Sequence, residues 1–86
     1  MRTDRNTTEY TITSLLRQSV DELKQMSTSP MLDAELLLGH VLRKNRVQLH
    51  SCGKNPVQPE KAALFINMVR RRRIGFPVAQ LIGSRE

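Results

Sequence analysis

Few side chains in this sequence can do chemistry, and their spacing decides what chemistry that would be. Two histidines stand at His40 and His50, one thiol at Cys52, and two neighbouring acids at Asp33 and Glu35. A histidine serves as a general base or a metal ligand when an acid or a thiol is set to partner it. Neither His40 nor His50 has a Cys, Asp or Glu at a recognisable ligand or triad spacing. Asp33 and Glu35 are two apart, so on a helix they point to different faces and form no paired acid/base site. Cys52 has basic neighbours but lies in no motif, and an inert thiol is the expectation. No glycine-rich phosphate loop is present. The residues therefore predict a domain with no catalytic, cofactor-binding or metal residue, one that binds or supports something.

What remains is charge. The chain closes on RRRRIGFPVAQLIGSRE, with Arg70 to Arg73 consecutive. The net charge is +6 over 86 residues and is unevenly placed. Residues 1–42 hold four basic and six acidic side chains, whereas residues 43–86 hold ten basic and two acidic. A basic half points to a polyanion or an acidic protein surface as partner, with a solvated helical face as the plain alternative.

The elements that must position these groups follow from periodicity. Residues 1–10 are polar and read as a flexible N-terminus. Thr11 reads as an N-cap, and Ile12, Leu15, Leu16, Val20, Leu23 and Met26 then recur at helical spacing. Ser29 reads as a second N-cap, with Pro30 at the first helical position, where its missing N–H costs nothing. The second helix carries Leu32, Leu36, Leu37, Leu38, Val41 and Leu42 over more than one face, which makes it central. Gly39 within it costs about 1 kcal/mol relative to alanine, which either a close helix–helix approach or tolerance at a surface position would explain. Asn45 caps a brief third helix ending near Gly53, and KNPVQP is a loop. A fourth helix starts near Pro59, carries Ala62, Phe65, Ile66, Met68 and Val69, and ends at Gly75. A short fifth follows Pro77 and is closed by Gly83. No segment alternates with period two, so the fold class is all-α with no sheet, a small orthogonal bundle of about five helices. With aromatics at only 3% of the chain, the core must be Leu, Ile, Val and Met.

Cationic residues in the last turns of the fourth helix meet the negative end of its dipole. Four consecutive arginines cannot share one face. The apolar stripe through Phe65 and Val69 extends to Arg72 and Arg73, whose stems lie along the core edge and snorkel. Arg70 and Arg71 are the exposed pair, and they are the candidate partner-binding residues. Asp33 is either a first-turn acid favoured by the helix dipole or the partner of an arginine in the fourth helix.

An ordered set of short motifs carries a family resemblance. It comprises Ser29-Pro30, Asp33-Ala34-Glu35, Leu36 to Leu38, His40-Val41, Arg72-Arg73, Gly75, Pro77, Gly83 and Arg85-Glu86. Over roughly residues 11–86 the sequence resembles the N-terminal domain of the HemK/PrmC family, the protein-(glutamine-N5) methyltransferases that act on peptide chain release factors. It departs at Gly39, where a bulkier helix former is common, and at Phe76, where a polar residue is usual. The resemblance implies a helical bundle over 11–83 that assists recognition of the release factor and holds no catalytic residue. It implies that 84–86 begin a linker to a catalytic domain absent from this chain. That domain would carry the S-adenosylmethionine site and the Asn-Pro-Pro-Tyr motif that holds the glutamine. The chain then reads as a piece cut at a domain boundary.

Two other functions are open to the same residues. One is a stand-alone nucleic-acid-binding module, which the basic half favours and the scarcity of aromatics for base stacking opposes. The other is a structural adaptor that only steadies the catalytic domain. Cys52 alone cannot form an internal disulfide, which fits a cytoplasmic protein. No apolar run reaches the roughly 18 residues of a membrane span, and a monomer is expected.

Overall fold

The structure, a computed structural model, describes residues 9–83. Of the flexible N-terminus expected over residues 1–10, residues 1–8 lie outside the described residues, as does the linker expected over 84–86, while Tyr10 is held in a strand. Five helices are present: α1 (Ile12–Leu23), α2 (Pro30–Leu42), α3 (Arg46–Ser51), α4 (Pro59–Arg73) and α5 (Val78–Leu81). The fold is a small helical bundle, as its apolar stripes predict.

Capping fixes where these helices start. Thr11 Oγ1 accepts from Ser14 N at 3.1 Å while Thr11 N donates to Ser14 Oγ at 2.9 Å, a reciprocal box that satisfies two free amides. Asn45 and Gln48 repeat the arrangement at α3. At α2 the expectation needs correcting. Ser29 occupies the cap position but its hydroxyl makes no capping bond. Ser27 instead braces the start of the helix, its Oγ accepting from Ser29 N at 3.1 Å and donating to Asp33 Oδ2 at 2.6 Å. The stripe of α1 also stops short of its expected end, since the helix closes at Leu23 and Met26 is exposed beyond it.

The expectation of no sheet is corrected as well. Tyr10–Thr11 (β1) pairs antiparallel with Pro56–Val57 (β2), Tyr10 opposite Val57 and Thr11 opposite Pro56. Strands of two residues are too short to show an alternation in sequence. Their purpose is local: the same loop offers the carbonyls of Asn55 and Gly53 to Ile12 N and Thr13 N, at 3.2 and 2.9 Å. Those are two of the orphan amides that open α1.

Helix α2 is central and touches α1, α3, α4 and α5. Ala34, Leu37, Leu38 and Val41 bury its inner face against Leu15, Leu16 and Leu23 of α1 and Phe65 and Val69 of α4. Each fully buried leucine contributes about 1.5–3 kcal/mol relative to its exposed form. Leu32 and Leu36, expected from the sequence to help pack this helix, are instead exposed on its outer face.

Candidate docking groove

The arginine run divides into two working halves. Arg72 is turned inward, its Nε donating to Asp33 Oδ2 at 3.0 Å, so the alternative of an ion pair to the fourth helix holds. Its guanidinium therefore ends on a carboxylate rather than snorkelling to water. Arg73 is exposed rather than laid on the core edge, and reaches Glu22 Oε1 at 3.4 Å. Arg70 and Arg71 are both exposed and pair with no acid among the described residues. Consecutive on a helix, they diverge by about 100°.

Arg71 lines a groove of about 500 Å³ where α4, the end of α2 and α5 meet. Arg70 lies outside its lining. Its lining carries three cations, Arg43, Lys61 and Arg71, two polar side chains, His40 and Asn67, and four apolar ones, Val41, Leu64, Met68 and Leu81. No acid lines the groove, and Arg43 and Lys61, like Arg71, make no ion pair among the described residues. Leu64 is 57% exposed, although it is a large apolar side chain in the middle of a helix.

Arg43 reaches this position through an unusual backbone. It ends α2 in the left-handed region, with φ 59°, and is the one non-glycine residue there among those described. Lys44 N donates to Gly39 O at 2.9 Å, closing the turn. A side chain at 39 would put its Cβ 2.5 Å from Lys44 O. The close approach that Gly39 permits is therefore to the turn after its own helix, not to another helix. That turn carries Arg43 to the groove lining.

The histidines separate. His40 lines the groove and also a second concavity of about 630 Å³ with Leu36, Lys44, Val47 and Ile82. His50 is exposed, and its Nε2 contacts Glu35 Oε2. Arg46 Nε donates to the other oxygen of the same carboxylate at 2.7 Å. Glu35, with a side chain 2% exposed, thus ties α3 to α2. Sequence spacing missed this cluster because 11 and 15 residues separate the partners and the turn after α2 brings them back. Asp33 and Glu35 serve different elements, as their spacing requires. Cys52 is a half-buried free thiol packed against the core. Among the described residues no group of three or more His, Cys, Asp or Glu is placed to hold a metal ion. No helix of the described residues is long and apolar enough to cross a membrane.

Comparison with known proteins gives the chain its family. Residues 14–83 match the model of the PrmC N-terminal domain. A release factor glutamine methyltransferase of Rhodopirellula baltica is 42% identical over 82 residues, covering 94% of this chain and 28% of the relative. The protein of the same name from Shewanella oneidensis is 39% identical over 75 residues, 87% of this chain and 26% of its own length. That of Escherichia coli K12 is 38% identical over 71 residues, 83% of this chain and 25% of its own length. The chain thus spans about a quarter of the length of the curated relatives it matches. No solved structure matches it. With the helical bundle, the resemblance in its motifs and a family match over most of its length, this chain belongs to the PrmC N-terminal domain family.

Proposed function

We propose that this chain is the substrate-recognition domain of an S-adenosylmethionine-dependent methyltransferase acting on the glutamine of peptide chain release factors. Arg70 and Arg71 belong to its docking surface. The observation that carries the reading is the acid-free groove lined by Arg43, Lys61 and Arg71 together with the apolar side chains of Val41, Leu64, Met68 and Leu81. Cations left without partners at a surface concavity favour an acidic protein partner. Its other partner is the catalytic domain of the intact protein, which works in the cytoplasm as a monomer.

The residues here do not suit the cofactor itself. S-adenosylmethionine carries a sulfonium cation, and the groove is lined by cations of the same sign. The bundle contributes binding energy and orientation, not a reacting group. Holding a large substrate by a region remote from the chemistry raises kcat/KM for that substrate alone.

Deletion of residues 1–83 from the full-length enzyme tests this. The expected result is a rate on a short glutamine peptide close to the intact enzyme's, with kcat/KM for the whole release factor lower by about tenfold or more, roughly 1.4 kcal/mol of lost binding. Equal losses on both substrates would make the bundle a structural adaptor. No loss on either would remove it from recognition.

A further inference from the structure

We infer that the groove between α2, α4 and α5 receives a single amphipathic helix of the partner protein, its apolar stripe on Leu64, Met68 and Leu81 and its acidic flanks against Arg43, Lys61 and Arg71. This rests on the docking reading above and gives it an occupant.

Geometry selects a helix. Lys61, Leu64, Met68 and Arg71 lie three, four and three residues apart on α4, so they form one stripe along it. At 1.5 Å per residue the stripe from Lys61 to Arg71 runs about 15 Å, the length of a helix of about ten residues. An extended peptide docks by pairing its backbone with an open sheet edge or, when proline-rich, by lying in an aromatic-lined groove, whereas a helix docks side chain to side chain in an apolar groove. Here the groove is bounded by helices and its lining holds no residue of β1 or β2.

Charge selects acidity. Three permanent cations line the groove, and the lining contains no acid to neutralise them. Four acids elsewhere on the molecule are engaged, Asp33 with Arg72, Glu35 with Arg46, Glu22 with Arg73 and Asp21 with Lys24, while Glu9 and Glu60 make no ion pair among the described residues and lie outside the groove lining. The lining argues against a nucleic acid, because its apolar part is leucine, methionine and valine and it holds no Phe, Tyr or Trp on which successive bases would stack. The two kinds of residue divide the work. Rim cations steer encounter and set its salt dependence, while the desolvated apolar contacts set the rate of escape.

The experiment uses the isotopically labelled 86-residue chain and three probes. These are a synthetic helical peptide with leucine on one stripe and glutamate on both flanks, its glutamine-flanked analogue, and polyuridylate. The glutamate peptide is expected to shift the amides of Arg43, Lys61, Leu64, Met68, Arg71 and Leu81. The glutamine analogue is expected to bind about tenfold more weakly. The Leu64→Ala variant should release the glutamate peptide about tenfold faster, with Leu64 exposed enough that the fold is kept. Shifts scattered over all the basic residues, unchanged release from the variant, or tighter binding of polyuridylate at the same residues would each overturn the proposal. Competition with the whole release factor separates this inference from the docking reading. A factor that binds the domain without displacing the peptide leaves docking intact and overturns the groove as its seat. A peptide that seats in the groove while the factor fails to bind supports the groove's chemistry and removes the docking reading.

Discussion

Arg72 Nε and Asp33 Oδ2, 39 residues apart in the chain, meet at 3.0 Å and join the last turn of α4 to the first turn of α2. Both side chains are mostly shielded, 19% and 10% exposed. Each end suits its place, an acid near the positive start of one helix and a cation near the negative end of another. The pair also explains why the arginine run is not uniform. One arginine builds the fold, and its neighbour one position earlier is left for the groove.

This pair should be measurable. Asp33→Asn is expected to destabilise the domain by about 1–3 kcal/mol, less than a fully buried pair because water still reaches both groups. A double-mutant cycle with Arg72→Met should return a coupling of about 1–2 kcal/mol in denaturant unfolding. A coupling near zero would mean that the two helices are held by apolar packing alone.

The core is small, so single truncations in it should be severe. Leu37 and Phe65 are among the largest fully buried side chains. Leu37→Ala is expected to cost about 2–5 kcal/mol in urea unfolding. Against a total stability of about 5–15 kcal/mol, and nearer the lower end for a chain this short, that would leave a large unfolded fraction.

Arg43 should separate stability from binding. A left-handed residue at a helix end costs about 1–2 kcal/mol for any side chain, and glycine avoids it at some cost in unfolded-state entropy. Arg43→Gly is therefore expected to raise stability by roughly 0.5–1 kcal/mol and to weaken the groove for an acidic partner. Calorimetry and binding on the same variant check both signs. Gly39→Ala should go the other way. Its gain in helix propensity of about 1 kcal/mol is outweighed by the clash with the Lys44 carbonyl, a backbone atom that cannot step aside cheaply.

Much of this molecule was legible in the sequence because its signals are local. Thr11 and Asn45 mark helix starts through bonds made within one turn, Pro59 marks one through its missing N–H at the first helical position, and Leu15, Leu37 and Phe65 announce a core through period alone. The exposure of Arg70 and Arg71 followed from the wheel of α4. What failed was non-local. The β1–β2 ladder is set by a loop returning to cover the first amides of α1. The Glu35 cluster depends on a turn whose shape is fixed by Gly39 and Arg43. The groove joins residues from three helices, so Lys61 and Arg43 carried no mark of belonging with Arg71. Leu32 and Leu36 misled because a leucine run does not reveal which of its members face water.

The most direct test of the recognition account is steady-state kinetics of the intact enzyme bearing Arg70→Glu and Arg71→Glu, singly and together. Exposed charges are worth only about 0–1 kcal/mol each to stability, so the melting temperature should hold. For the whole release factor, kcat/KM should fall, most at low salt, where screening is weakest. Arg71→Glu should account for the larger share, since Arg71 lines the groove and Arg70 does not. The rate on a short glutamine peptide that cannot reach the bundle should not change. Unaltered kcat/KM on the whole factor at every salt concentration, with the fold intact, would contradict the account.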